Sequence, residues 1–241
     1  MVEHPYITII CTNCGHQISV PLYCHNRFCP VCSRPRLKRV RKRLQWYCSN
    51  VQLLPGQRLK HLVLTVKSSD DLEKSLNHLI SSFRKFRGSV WWKKHVSGGA
   101  YTIEITKGPF GWHPHLHCIV QSWFMPYHVL KAKWEKLSGA WSVSICERPA
   151  HTVANYITDY ITKLPASVDN PEYVNKCLQS RRLYSVFGKW HSMKCPLFKL
   201  THPCPKCGES AWIPETCLSH EGFRSPPKMQ YDYLPRKSAR A

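Results

Sequence analysis

The stretch Trp112-His113-Pro114-His115-Leu116-His117-Cys118-Ile119-Val120 restricts the fold more than any other part of the chain. Three histidines stand at alternate positions and run directly into apolar residues. In a strand, successive side chains point to opposite faces. His113, His115 and His117 therefore share one face, and Leu116, Cys118 and Val120 share the other. The chain must then contain a sheet with a core on one side and a row of imidazoles on the opposite side. Neutral imidazole binds divalent ions, and the pleat fixes the separation of neighbouring rings.

The residues before this strand supply a third ligand. Ala100 to Lys107 reads as a strand with Thr102, Glu104 and Thr106 on one face and Ile103 and Ile105 on the other. Lys107-Gly108-Pro109-Phe110-Gly111 has the residues of a short hairpin loop. If residues 108–111 close that loop, Glu104 lies opposite His115 on the same face. A one-residue slip would move Glu104 to the wrong face, so the metal set Glu104, His115 and His117 is a statement about register.

Other segments complete an α+β pattern. His61 to Lys67 reads as a buried strand and Asp70 to Arg87 as a helix, capped by Asp70 or Asp71, with an apolar stripe at Leu72, Leu76, Leu79, Ile80 and Phe83. Tyr127 to Leu137 reads as a helix, Trp141 to Cys146 as a strand, and residues 171–190 as a further helix. Between them, Ala154, Ile157, Ile161 and Leu164 have the spacing of a buried helix face. Tyr156, Tyr160 and Lys163 fall on a neighbouring face, and Pro165 ends the segment. The expected fold is a central antiparallel sheet carrying the histidines, with flanking helices and zinc-ribbon-like cysteine modules.

The cysteines point to structural metal. The N-terminus lacks the basic-then-apolar pattern of a signal peptide, which disfavours secretion, so the 13 cysteines read as ligands or buried thiols. Cys11, Cys14, Cys29 and Cys32 form two CxxC pairs that predict one tetrahedral zinc site, with Cys24 or His25 as an alternative ligand. Cys195, Cys204, Cys207 and Cys217 predict a second. Four cysteines at these spacings suit a structural site and leave no open position for chemistry.

A formal charge of +21, from 35 Lys and Arg against 14 Asp and Glu, calls for a polyanionic partner. No apolar run is long enough for a bilayer, which disfavours a membrane. Arg34, Arg36, Lys38, Arg39, Arg41, Lys42 and Arg43 are concentrated in one segment, with Leu37, Val40 and Leu44 at helical spacing. One side of that helix can dock while the other meets phosphates. Nine Trp and eleven Tyr could stack on unpaired bases, although most aromatics serve a core. From Arg224 onward, Pro, Ser, Lys and Arg without periodicity predict a disordered basic tail.

Trp112-His113-Pro114-His115-Leu116-His117 resembles the histidine–hydrophobe–histidine motif of the HUH endonucleases, and more narrowly that of plasmid-type rolling-circle replication initiators. Tyr156-Ile157-Thr158-Asp159-Tyr160-Ile161-Thr162-Lys163 is similar to that family's YxxxYxxK motif. Leu64-Thr65-Val66-Lys67 looks like its first motif strand, and Cys24 to Arg34 resembles the cysteine cluster that precedes the core in such initiators and in related transposases. The resemblance implies that His115 and His117, with Glu104, bind a catalytic Mg²⁺ or Mn²⁺. It makes Tyr160 the first nucleophile, Tyr156 a second one or its counterpart, and Lys163 a phosphate-holding residue. His113 is an auxiliary neighbour. The implied activity is nicking and rejoining of single-stranded DNA at an origin hairpin, with a host helicase and polymerase as partners in the cytoplasm of a prokaryotic host. The helicase domain of larger relatives has no counterpart in this sequence.

This pattern predicts a zinc-ribbon-like module and basic helix over 1–45, a nuclease domain over 58–190, a second cysteine module over 191–222 and a tail over 223–241. A rolling-circle transposase would use the same chemistry. A non-enzymatic zinc-ribbon protein binding single strands would explain charge and cysteines but leave the histidines idle. A zinc hydrolase is disfavoured because the chain has no HExxH.

Overall fold

A computed structural model describes residues 6–22, 29–147, 149, 152, 171–179, 181–196 and 203–215. In chain order its elements are β1 (Tyr6–Cys11), β2 (Gln17–Pro21), α1 (Pro30–Asn50), β3 (Arg58–Thr65), α2 (Leu72–Gly88) and α3 (Val90–His95). They are followed by β4 (Val96–Gly108), β5 (Gly111–Ser122), α4 (Tyr127–Ser138), β6 (Val143–Glu147), α5 (Pro171–Cys177), β7 (Tyr184–Gly188), a 3₁₀ turn (Lys189–Ser192) and β8 (Trp212–Pro214). Two compact units result, one from both ends of the chain and one from residues 25–200.

The larger unit is built on a five-stranded antiparallel sheet of order β6-β3-β5-β4-β7. Its first face is apolar because the alternating residues demand it. Leu62 and Leu64 of β3, Ile103 and Ile105 of β4, and Leu116, Cys118 and Val120 of β5 enter one cluster with Leu72, Leu76, Leu79, Phe83 and Phe86 of α2 and Leu130 and Trp134 of α4. Each such side chain contributes about 1.5–3 kcal/mol when removed from water. Asp71 caps α2 by accepting from the Lys74 backbone N–H at 3.0 Å. Trp134 Nε1 donates to the Thr65 carbonyl at 2.8 Å, tying α4 to the end of β3.

The second face is divided. At one end Leu44, Tyr47 and Cys48 of α1 pack with Trp190 on Leu59, Ala100 and Ile119. Further along the same face the residues become polar. Cys29 caps α1 by accepting from the Cys32 backbone N–H, and Pro30 occupies the first helical position, where its missing N–H costs nothing.

The β4–β5 hairpin closes on Gly108 and Gly111 around a two-residue turn. Gly111 has φ 94°, and a Cβ there would meet the Ser69 carbonyl. That close approach is used: Ser69 and Trp112 exchange backbone hydrogen bonds of 3.0 and 2.7 Å. At the other end of β4, a Cβ on Gly99 would run into the Ile119 carbonyl and Phe187, so this strand can lie against β5 only with glycine there.

Two expectations change. The helix predicted over 171–190 is helical only in α5; Tyr184–Gly188 instead pairs with β4 as an edge strand and buries Phe187. Aromatic and β-branched residues fit a pleated surface, and the open edge of β4 supplied backbone partners that helical periodicity could not reveal. The chain also does not divide linearly. Both cysteine-bearing ends form one unit, while α1 belongs to the larger one. The tail from 223 lies outside the described residues, as do Tyr156, Tyr160 and Lys163.

Candidate metal centre

The hairpin register places Glu104 opposite His115, Thr102 opposite His117 and Thr106 opposite His113. On the other side of β5, Val63 faces His117 and Thr65 faces His115. All of these side chains stand on the second sheet face, beyond the end covered by α1. Glu104 and His117 are buried, with 8% and 5% exposure, whereas His115 and His113 are half-buried. The polar row thus runs from dry interior to water over three residues of β5.

Glu104, His115 and His117 bring one ligand atom each to within 4.8 Å of one another. Glu104 Oε2 lies 2.8 Å from His117 Nε2. A buried carboxylate needs a partner, and this imidazole is it. Two imidazole nitrogens and one carboxylate oxygen are a donor set that could hold a divalent cation, fewer ligands than its full coordination number.

The surrounding contacts orient these side chains. Thr106 Oγ1 donates to the His113 carbonyl at 2.7 Å. Its one proton is thereby used, so across the 3.3 Å to His115 Nε2 it is the acceptor. Ser68 Oγ is 2.9 Å from His113 Nδ1, held there by the Ser69–Trp112 bridge. Burial, then the neighbouring His113, lowers the His115 pKa to about 4 despite the opposing effect of Glu104. Burial also lowers that of His113. Both rings are therefore neutral near pH 7, the form that offers a lone pair to metal.

One site residue escaped the sequence reading. His61, buried with 4% exposure, places Nε2 3.2 Å from His117 Nδ1, with the two rings nearly parallel. The alternation within β3 contained this signal, but only the β3–β5 register shows that His61 and the histidines of β5 share a face.

In the smaller unit, strands order as β2-β1-β8. Cys11, Cys14, Cys204 and Cys207 bring their sulfurs within 4.8 Å of one another. The Cys11–Cys207 and Cys14–Cys204 separations are both 3.6 Å. Zn–S bonds of about 2.3 Å arranged tetrahedrally require sulfurs about 3.8 Å apart, so this cluster could hold zinc. The two loops repeat one another. Gly15 donates to the Cys11 carbonyl and Gly208 to the Cys204 carbonyl; Cys11 donates to the carbonyl of His16 and Cys204 to that of Glu209. The Glu209 backbone N–H, then the Asn13 side chain, lower the Cys207 pKa to about 6, whereas at Cys14 the lowering hydrogen bond from the His16 backbone is outweighed by burial and the neighbouring thiols, which raise its pKa.

The expected four-cysteine sets are therefore regrouped. Cys11 and Cys14 converge with Cys204 and Cys207, because β1 pairs with β8 and brings the chain ends together. Cys29 and Cys32 instead open α1 in the larger unit. Cys195 also belongs to that unit, and its thiol faces the Pro196 carbonyl at 3.6 Å. Cys24 and Cys217 lie outside the described residues.

On α1, Leu37, Val40, Leu44 and Tyr47 face the sheet, and Arg34, Lys38 and Lys42 form an exposed stripe at intervals of four. Arg43 is also exposed; Arg36, Arg39 and Arg41 are half-buried. No helix among the described residues is long and apolar enough to cross a membrane.

An antiparallel sheet with two strand-borne histidines and a carboxylate from the neighbouring strand is the arrangement expected of an HUH-type protein. The profile of a family of replication proteins (Rep_1) matches residues 16–143, just over half of the 241 residues, and spans α1, Glu104, His115, His117 and α4. The chain belongs to that family, the rolling-circle plasmid replication proteins, and is a plasmid replication initiator that binds DNA at the origin. Comparison with curated proteins and with solved structures returned no match.

Proposed function

We propose that this initiator nicks one strand of its origin by tyrosine attack and later rejoins the ends. The observation that carries this reading is the convergence of Glu104, His115 and His117 on one face of the sheet. Such a set suits Mg²⁺ or Mn²⁺, which when bound supplies charge neutralisation at the oxygens of the scissile phosphate. The chain's own residues hold that centre, orient the phosphate and deliver the nucleophile.

In the proposed step, Tyr160 Oη forms a bond to phosphorus while the bond from phosphorus to the 3′ oxygen breaks. The tyrosine loses its proton, and the leaving oxygen takes one up to become a free 3′-OH. The 5′ end is left esterified to the protein. The ester conserves the phosphodiester energy, so the step runs backwards for joining. Tyr156 is proposed to take a second strand, and Lys163 to steady the phosphate. Arg34, Lys38 and Lys42, with the other cations of α1, would track the DNA backbone. The cysteine cluster Cys11, Cys14, Cys204 and Cys207 is proposed to hold structural zinc. A host helicase and polymerase would supply unwinding and synthesis in the cytoplasm of a prokaryotic host. A purely DNA-binding role would leave a buried carboxylate and its imidazoles without a function.

The test is incubation with origin single strands and Mn²⁺, followed by a denaturing gel and peptide mapping. A protein–DNA adduct on Tyr160, lost in Tyr160→Phe or on chelation, is expected. An adduct that survives Tyr156→Phe,Tyr160→Phe would overturn the mechanism.

A further inference from the structure

His61 is the one buried imidazole of this face that the nicking mechanism does not use. It comes from β3, which contributes no ligand to the triad, and it touches the rear nitrogen of His117. His117 is thus held from both ends: Nε2 toward Glu104 at 2.8 Å and Nδ1 toward His61 at 3.2 Å.

Proton positions follow from the partners. A nitrogen lone pair and a carboxylate oxygen repel at 2.8 Å, so in this arrangement His117 Nε2 carries a proton, and a ring with that single proton has its lone pair on Nδ1. Nδ1 is then an acceptor, and His61 Nε2 donates to it. A cation bound at His117 Nε2 takes that lone pair and requires the proton on Nδ1. Nδ1 becomes the donor, and His61 Nε2 must become the acceptor, with its own proton moved to Nδ1. With one proton on each ring, both change tautomer together.

Resting on the reading of Glu104, His115 and His117 as a metal site, we propose that His61 is a positioning residue that selects the tautomer of His117 and so sets the affinity for the divalent cation. A histidine suits this role because its Nε2 can be donor in one state and acceptor in the other, at one fixed ring position. The 9° angle between the rings and the burial of both allow the exchange without either side chain moving.

The experiment is calorimetric titration of the full-length protein with Mn²⁺, comparing wild type, His115→Ala, His61→Ala and His61→Gln. Outer partners of this kind are worth roughly 10–100-fold in metal affinity. His61→Ala is expected to weaken Mn²⁺ binding by that factor. His61→Gln, whose amide can donate or accept, is expected to recover most of it. In parallel, long-range ¹⁵N–¹H spectra of wild type with Mg²⁺ are expected to show the His117 proton moving from Nε2 to Nδ1. Wild type and His115→Ala binding Mn²⁺ alike would overturn the metal site itself. Binding that depends on His115 but is unchanged in His61→Ala would overturn only the role of His61. If His61→Ala does not fold, an unchanged His117 tautomer in wild type on adding Mg²⁺ does so instead.

Discussion

The depressed His115 pKa makes a quantitative claim about stability. Burial first, then His113, holds the metal-free folded ring near pKa 4, against 6.5 for an ordinary histidine. As pH falls below 6.5 the unfolded chain takes up a proton at this position and the folded chain does not. The folded state therefore loses stability progressively from pH 6.5 down to about 4, and the contribution is fully present above 6.5. The interval from 6.5 to about 4 is roughly 2.5 pH units, which at 1.36 kcal/mol per unit is about 3 kcal/mol. His115 retains some contact with water, which reduces the figure to about 2 kcal/mol. The assay is urea unfolding in EDTA between pH 7.5 and 4, on wild type and His115→Gln. Wild type should lose about 2 kcal/mol more than the variant across that range, while the smaller effect of His113 persists in both. Superimposable pH profiles would refute the argument that burial keeps this ring neutral.

Other consequences are equally open to measurement. Cys11→Ser or Cys204→Ser should reduce zinc, read by elemental analysis, from one ion per chain to none at this cluster, whereas Cys29→Ser should leave it bound. Gly99→Ala forces a Cβ into the Ile119 carbonyl and should cost about 2 kcal/mol or more by chemical denaturation, with weaker Mn²⁺ binding because β4 carries Glu104. Replacing Arg34, Lys38 and Lys42 together by Ala should flatten the log–log salt dependence of single-strand binding by about 2, since each phosphate contact contributes about 0.7. An unchanged slope would remove that stripe from the DNA path.

The candidate metal site was legible to the extent that it rests on local chemistry. Alternation fixed the common face of His113, His115 and His117, and the residues of the 108–111 turn fixed the register that brings Glu104 to His115. Where partners come from distant segments, local chemistry is silent. His61 lies within a segment plainly readable as a strand, yet its role appears only once β3 is aligned with β5. The cysteines make the same point more strongly. Neighbouring CxxC pairs suggested joint sites, whereas pairing of β1 with β8 joins Cys11 and Cys14 to Cys204 and Cys207, almost two hundred positions away. Edge strand β7 was hidden because Val174, Cys177 and Leu178 begin a helical pattern that the following residues do not continue.

The most direct test of the metal centre is anomalous scattering from crystals of the full-length protein grown with Mn²⁺. A manganese peak bonded to Glu104, His115 and His117 is the expected result, with the four sulfurs of Cys11, Cys14, Cys204 and Cys207 occupied by zinc. A manganese peak elsewhere, with these three side chains still bonded only to one another and to the protein, would contradict the assignment.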